Sequence, residues 1–141
     1  MAELNEIEGV LDSLIYNRLG ELVIPQLQYK DERIARLGRE VAFCFAFLEK
    51  MQKEIDFIEL IYEGRRIIVR ISYNFFILVI CEEKADIPLI KLTINVINEE
   101  IKGDKAIQRL LHRPREKRDL LLDAQKESEW RELLEKMNIL S

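Results

Sequence analysis

The chain has 141 residues, enough for one domain with a sizeable core and an appendage, and too few for two full domains. Hydrophobic residues make up 48 % and charged residues 34 % of the sequence, a balance that excludes a disordered chain. The 26 acidic and 22 basic side chains give a net charge of −4, which argues against broad nonspecific binding to nucleic acid or anionic lipid. We therefore expect a folded domain that binds no nucleic acid.

The cysteines and the apolar runs of the sequence indicate where in the cell the protein is located. Cys44 and Cys81 stand far apart, without the spacing of a disulfide framework or a zinc site. The N-terminus lacks the basic start and the apolar run of a signal peptide. The longest apolar runs, residues 41–48 and 75–81, are far shorter than the roughly 20 residues of a membrane span. These features predict a cytoplasmic protein without a membrane span.

The first elements are predicted to be a short helix and a β-hairpin. Helical spacing relates the apolar residues Leu4, Ile7, Leu11 and Leu14. The stretch from Asn17 to Gly20 is typical of a tight turn, because Gly20 can adopt a positive φ. Extended residues resume after the turn and end at Pro25, which completes the predicted hairpin.

A long helix is predicted over residues 31–53. Its core face carries Ile34, Leu37, Val41, Cys44, Phe45, Leu48 and Met51, at about 100° per residue. A second sector carries small residues against which another backbone could approach closely, namely Ala35, Gly38, Ala42 and Ala46. A third sector carries Phe43 and Phe47, where a helix that only covers a sheet should be polar. This helix therefore requires packing partners on two sides.

Three explanations are open for the face that carries Phe43 and Phe47. It could be a dimer interface, it could be covered by a C-terminal helix of the same chain, or it could be exposed by chance. The first two can both be true. If Phe43 anchors a dimer, Phe43→Glu should lower the native mass to that of a monomer, because burying an unpaired carboxylate is costly.

The second half of the chain predicts a three-stranded antiparallel meander followed by helices. The strands are residues 57–62, 66–73 and 75–81, and the last is apolar throughout, as is typical of a central strand. Asp86 can cap a third helix that has Pro88 in its first turn and isoleucines at helical spacing. Asp104 can cap a short continuation. The charged, helix-favouring residues 115–137 predict a C-terminal helix.

The sequence shows no pattern of a catalytic, cofactor or metal site. Its five glycines form no phosphate-binding loop, so the chain is not itself a P-loop GTPase. The lone histidine, His112, stands at a predicted helix end without a nucleophile beside it. Aromatic neighbours keep the Cys44 thiol neutral. We expect neither an enzyme nor a bound cofactor or metal.

Two groups of basic residues could meet a partner. Arg65, Arg66 and Arg70 lie on or beside a predicted strand, where charged positions also serve simply to block aggregation. A second cluster surrounds a break between predicted helices and contains Arg109, Arg113, Arg115, Lys117 and Arg118. It is either a solvated linker or a contact for phosphate, nucleic acid or an acidic partner.

The order helix, hairpin, long helix, meander, helix resembles that of the Roadblock / dynein light chain family. The residues that carry the likeness are Ile7-Glu8-Gly9-Val10, the turn at residues 17–20, the long helix with its Ala and Phe residues, and the strand 76–80 that leads into the helix 90–101. The resemblance covers residues 3–112. It implies an α/β domain over residues 1–112, of order α-β-β-α-β-β-β-α, with a five-stranded antiparallel sheet and helices on both faces. Residues 113–141 are then a C-terminal helical extension.

The resemblance also implies a function. Family members are typically dimers that pair their long helices and join their sheets through the next strand, and they regulate or scaffold small Ras-like GTPases or serve as light chains of motor complexes. This chain would then be a noncatalytic homodimer, or pair with a paralogous Roadblock-type subunit, and bind such a GTPase. The alternatives are a small-ligand sensor domain, a light-chain-type structural adaptor, or an enzyme.

The residues of the dimer interface follow from the same resemblance. The dimer interface would contain Gly38, Ala42, Phe43, Ala46, Phe47, Phe57, Glu59 and Ile61. Some bacterial members use a C-terminal extension to contact the GTPase, a role that residues 115–141 would imitate. The residues expected to bind the partner are Arg65, Arg66, Arg70, Arg113, Arg115 and Trp130.

Overall fold

The computed structural model of the protein describes residues 2–25, 31–52 and 54–112. The elements in chain order are α1 (Ala2–Asn5), β1 (Val10–Asn17), β2 (Leu22–Ile24), α2 (Glu32–Lys50), β3 (Phe57–Tyr62), β4 (Arg65–Ile71), β5 (Phe75–Glu82), α3 (Ile87–Gly103) and α4 (Lys105–Leu111). The C-terminal helix predicted at residues 115–137 lies outside the described residues.

The strands form one five-stranded sheet in the order β2-β1-β5-β4-β3, and every neighbouring pair is antiparallel. The predicted meander is confirmed as β3, β4 and β5. The central position of β5 explains its apolar sequence, because helices cover both faces of the sheet. The predicted architecture, a five-stranded antiparallel sheet with helices on both faces, is thus confirmed.

The N-terminal helix predicted from Leu4 to Leu14 is wrong beyond its first turn. Helix α1 ends at Asn5, and Leu14 lies in β1 opposite Leu78 of β5. Gly9 has a φ of +90°, which ends the helical path before β1 begins. The long pairing of β1 with β5 outweighs a helical spacing of only four apolar residues.

Aspartate caps set where three helices begin, and those at Asp86 and Asp104 were predicted. The carboxylate of Asp31 accepts a hydrogen bond from a backbone N–H in the first turn of α2, Asp86 does so for α3, and Asp104 for α4. Helix α2 ends at Lys50, earlier than predicted, and Gln52 just beyond it adopts a φ of +59°. The predicted hairpin turn is confirmed, with Gly20 at a φ of +84°.

Two apolar layers hold the sheet between the helices. On one face α2 packs against side chains of β1, β3, β4 and β5, which include Leu14, Tyr16, Ile58, Val69, Phe76 and Leu78. On the other face α3 contributes Ile90, Ile94, Ile97 and Ile101, and these pack on side chains that include Ile15, Ile68, Ile77 and Val79. Each face of the sheet therefore has its own helix layer.

Candidate protein interface

The outer face of α2 is defined here by Phe43 and Phe47. The sheet-facing side of the same helix carries Val41, Cys44 and Leu48. Phe43 follows Val41 by two residues, which is about 200° around the helix axis. Even so, Phe43 is only 3 % exposed and Phe47 only 2 % exposed within the single chain. Chance exposure is therefore excluded as an explanation of this face.

The small-residue sector of α2 does meet another backbone, and at Gly38 that backbone belongs to the chain's own β1–β2 turn. A Cβ atom on Gly38 would lie 2.4 Å from the carbonyl oxygen of Gly20 and 2.3 Å from the Tyr16 ring. The Tyr16 hydroxyl in turn donates a hydrogen bond of 2.8 Å to the carbonyl oxygen of Ile34. Gly38 thus serves packing within the protomer.

The remaining members of the predicted dimer interface on α2 lie further along the helix. Ala42 is buried and belongs to the apolar layer beneath α2, whereas Ala46 is half-buried. The assignment of α2 residues to a dimer interface stays a prediction.

Strand β3 is an edge of the sheet, since it pairs with β4 and with no other strand among the described residues. Phe57, Glu59 and Ile61 alternate along it on the face that α3 covers. Glu59 forms a salt bridge with Lys91 of α3, and the Lys91 ammonium lies 5.5 Å from the centroid of the Phe57 ring. Ile61 is 63 % exposed. The edge strand therefore carries an apolar side chain, Ile61, that the rest of the protomer leaves largely exposed.

The three predicted partner-binding arginines of β4 differ in what they contact. Arg65 is exposed. Arg66 is half-buried, and its Nε atom is buried without a hydrogen-bond partner among residues 2–25, 31–52 and 54–112. Arg70 donates hydrogen bonds to Asn95 at 3.2 Å and to the carbonyl oxygen of Ile71 at 2.8 Å. Arg70 is thus engaged within the protomer, and Arg65 is the most available of the three.

The other predicted partner-binding residues, Arg113, Arg115 and Trp130, lie outside the described residues. His112 is exposed at the C-terminal end of α4, as expected, and its Nε2 lies 3.3 Å from the side-chain nitrogen of Asn74.

Arg18 is a residue whose role sequence analysis missed. Its guanidinium donates to the carbonyl oxygens of Ser72 at 3.0 Å and Tyr73 at 2.7 Å, and it forms a salt bridge of 3.3 Å with Glu49 of α2. It also stacks over the Phe45 ring at 3.9 Å. Burial lowers the pKa of Arg18 from its ordinary value, and the Glu49 carboxylate opposes that shift. One cation therefore ties the β1–β2 turn to the β4–β5 turn and to α2.

An exposed apolar stripe on α3 was also missed. Leu89, Leu92 and Val96 lie on the side of the helix away from its buried isoleucines, and Leu92 is 64 % exposed. Their spacing at positions i, i+3 and i+7 was visible in the sequence, but the stronger isoleucine pattern on the same helix hid it. This stripe and Ile61 are exposed apolar surface of the kind that protein partners cover.

The cysteines behave as core residues, as predicted. Both are buried, and they form no disulfide with each other. Burial raises the pKa of the Cys44 thiol to about 12. Burial also raises the pKa of the Cys81 thiol, and the positive charge of Arg66 opposes this increase. Both thiols are therefore kept in the neutral form, which is a poor nucleophile.

Within the part of the chain that the structure describes, no three His, Cys, Asp or Glu side chains are grouped so that they could hold a metal ion. In the same part, none of the helices has the length and apolar character needed to cross a membrane.

No protein-family profile and no curated sequence matches this chain. Solved structures do match its fold. The Roadblock/LC7 domain from Streptomyces avermitilis superposes with a TM-score of 0.61 at 6 % identity, covering 73 % of this chain and 92 % of that one. MglB from Myxococcus xanthus superposes with a TM-score of 0.54 at 14 % identity, covering 64 % of this chain and 79 % of that one. The gliding protein MglB from Thermus thermophilus superposes with a TM-score of 0.51 at 15 % identity, covering 80 % of this chain and 85 % of that one. At these identities the likeness lies in the backbone architecture.

Proposed function

We propose that this chain, whose fold is the Roadblock fold, is a noncatalytic dimeric regulator or scaffold that binds a small Ras-like GTPase. The observation that carries the proposal is the fold itself, with its sheet order β2-β1-β5-β4-β3 and its long helix α2 on one face. The family resemblance of the sequence implies the same kind of partner. A regulator of this kind needs different affinities for two states of its partner and no reaction centre.

The edge strand β3 supports the dimeric part of the proposal. Natural edge strands are commonly protected by free charges or by proline. Strand β3 contains no proline, and its one charged residue, Glu59, is paired with Lys91 of the same protomer. The exposed Ile61 adds apolar surface to that edge. A second β3 can therefore pair with the first and extend the sheet across two copies.

A substitution on β3 tests the dimer. At a concentration where the wild type has twice the mass of one chain, Ile61→Lys should give the mass of a single chain, because it places an unpaired charge in the apolar interface. Ile61 is mostly exposed in the protomer, so the variant should stay folded. Leu92→Lys is the matched control, since Leu92 is equally exposed but lies on α3. A dimer that persists in folded Ile61→Lys would contradict this interface.

An affinity capture tests the GTPase partner. The full chain is immobilised and exposed to lysate of the source cells, once with GDP and once with a nonhydrolysable GTP analogue. We expect retention of a P-loop GTPase, identified by mass spectrometry, more strongly in one nucleotide state. If folded bait retains no GTPase in either state, the GTPase part of the proposal is wrong and a structural adaptor is favoured.

A further inference from the structure

The apolar stripe of α3, made of Leu89, Leu92 and Val96, forms one ridge on the outer side of the protomer. The three side chains fall within about 60° of the helix circumference, in a sector centred about 140° from the isoleucines that pack on the sheet. Leu89 is 43 %, Leu92 64 % and Val96 54 % exposed. The rest of the protomer therefore leaves much of this ridge open to solvent.

The shape of the stripe fits a second helix. Its spacing of i, i+3 and i+7 is the one with which two helices pack side by side. A strand could not add itself here, because the backbone groups of α3 are already paired within the helix. Helix α3 has 17 residues and is about 25 Å long, which offers room for a partner helix of about four to five turns.

Carboxylates stand at both ends of the stripe. Asp86 is the N-cap residue of α3, three positions before Leu89. Glu100 follows Val96 by four positions and is exposed in the last turn of the helix, where the negative end of the helix dipole adds to its charge. The apolar ridge is thus bounded by negative charge.

The lysines of α3 are both engaged with carboxylates. Lys91 forms a salt bridge with Glu59 of β3. Lys102 forms one of 3.2 Å with Glu99 on its own helix. Helix α3 contains no arginine and no third lysine, so it has no further cation to neutralise Glu100. The surface around the stripe therefore favours a positively charged partner.

The same charges disfavour a second copy of this chain on the stripe. In an antiparallel pair of α3 helices centred on the stripe, Glu100 of one copy comes beside Asp86 of the other. In a parallel pair, each of these carboxylates lies beside its own counterpart. Like charges placed together across an interface weaken binding. An anionic membrane surface is disfavoured as well, because helices that lie on membranes carry lysine and arginine beside their apolar face.

We propose that the stripe of α3 is a docking site for an amphipathic helix of another protein, whose apolar face is flanked by lysine or arginine. The apolar side chains of that helix pack between Leu89, Leu92 and Val96, and its cations meet Asp86 and Glu100. Apolar burial supplies most of the affinity. The charges fix the orientation of the helix and reject acidic helices.

The stripe is separate from the edge of the sheet at β3. Lys91 reaches Glu59 on β3, and it lies about 130° around the helix axis from the centre of the stripe. A helix bound on the stripe therefore leaves Ile61 accessible. The inference goes beyond the proposed function, because one protomer could pair through β3 and hold a second protein on α3 at the same time.

A designed peptide tests the docking site. The probe is a synthetic helix of about three heptads, with leucine at the a and d positions and lysine beside them. Its matched form carries glutamate in place of lysine. Each labelled peptide is titrated with the folded full-length chain, at a concentration where the peptide alone is monomeric, and fluorescence anisotropy gives the Kd. We expect the lysine peptide to bind at least about ten-fold more tightly, with a preference that shrinks as salt is added.

Substitutions in the stripe locate the binding. Leu92→Ala should weaken binding of the lysine peptide at least about ten-fold, as truncation of a central anchor does. Val96→Ala should weaken it as well. Both side chains are mostly exposed, so the variants should stay folded by circular dichroism. Met51→Ala is the matched control and should leave the Kd unchanged, since Met51 is 45 % exposed but lies at the end of α2.

A charge reversal tests the choice of partner. Glu100→Lys should reduce the preference for the lysine peptide over the glutamate peptide, because it reverses the charge at one end of the stripe. Glu40→Lys is the matched control, since Glu40 is an exposed glutamate of α2 and the net charge changes equally. This control should leave the preference as it is in the wild type.

Three outcomes would overturn the proposal. The first is the absence of binding of the lysine peptide to the folded chain, or an equal Kd for the wild type and Leu92→Ala. The second is a native mass that falls in Leu92→Lys, which would assign the stripe to a second copy. The third is binding to vesicles of anionic lipid that Leu92→Ala abolishes, which would assign it to a membrane. No GTPase and no contact of β3 enters the titration, so its failure is separate from a failure of the proposed function.

Discussion

Gly38 of α2 and Gly20 of the β1–β2 turn lie so close that a Cβ atom added to Gly38 would stand 2.4 Å from the Gly20 carbonyl oxygen. Real Cβ atoms essentially never approach another heavy atom so closely. The Tyr16 ring closes the other side of the same position at 2.3 Å. The two glycines therefore let α2 dock directly on the backbone of the hairpin turn.

Gly38→Ala should lower the free energy of unfolding by about 1–3 kcal/mol, the usual cost of overpacking a core, because neither the Gly20 backbone nor the stacked Tyr16 ring can move freely. Urea unfolding followed by circular dichroism measures the change. Gly103→Ala is the matched control: no atom lies within 4 Å of its added Cβ, and alanine favours a helix. Equal stabilities for the two variants would contradict the close approach.

Arg18→Ala should lower the free energy of unfolding by about 1–3 kcal/mol, because the carbonyl groups of Ser72 and Tyr73 lose a charged donor. The ion pair with the mostly exposed Glu49 should add little. Arg18→Lys should recover only part of the loss, since an ammonium lacks the planar fork that spans both carbonyls and stacks on Phe45. Thermal unfolding provides the comparison.

Arg39→Ala is the control for Arg18, because Arg39 is an exposed arginine of α2. It should leave the unfolding temperature nearly unchanged. If Arg18→Ala is as mild as Arg39→Ala, the carbonyl contacts of Arg18 contribute little to stability.

Stability should fall in alkaline solution, in part through Cys44. Burial raises the pKa of this thiol from 9.0 to about 12 in the folded protein. Between these values the unfolded chain loses the proton and the folded chain keeps it, so the unfolded state binds fewer protons and stability decreases as pH rises. The contribution is fully present below about pH 9 and is lost as the pH approaches 12.

The measurement is the free energy of unfolding at about pH 8 and about pH 10. Cys44→Ala removes this titration, so its loss of stability over that interval should be smaller than that of the wild type by about 1 kcal/mol. What is compared is the change in the free energy of unfolding with pH. The cavity that Cys44→Ala leaves lowers this free energy equally at both pH values, so it does not affect the comparison. If the wild type and Cys44→Ala lose the same free energy of unfolding over this interval, the thiol ionises equally in the folded and the unfolded chain.

Much of the fold followed from local signals in the sequence. Asp86 and Asp104 were predicted as helix caps, because an aspartate side chain satisfies backbone N–H groups whatever lies around it. The turn at residues 17–20 and the all-apolar strand β5 were likewise predicted. The first helix was overextended because β1 is held by its pairing with β5, a contact of high sequence separation that no local spacing encodes.

The candidate interface was less predictable. The sequence showed that Phe43 and Phe47 need cover, yet it left open whether a second copy or the same chain supplies it. Arg70 was interpreted as a charge offered to a partner, but α3 places Asn95 beside it and takes it into the protomer. A side chain's partners depend on which elements meet, and that is a property of the assembled layers.

The sequence by itself determined the element types, the apolar faces and the order that resembles the Roadblock family, because periodicity and caps act over a few residues. Only the tertiary structure decided that Gly38 receives the chain's own hairpin, that Arg18 joins two turns to α2, and that Ile61 stays exposed on an edge strand. These relationships join residues distant in the sequence, so they exist only once the sheet order has brought the elements together.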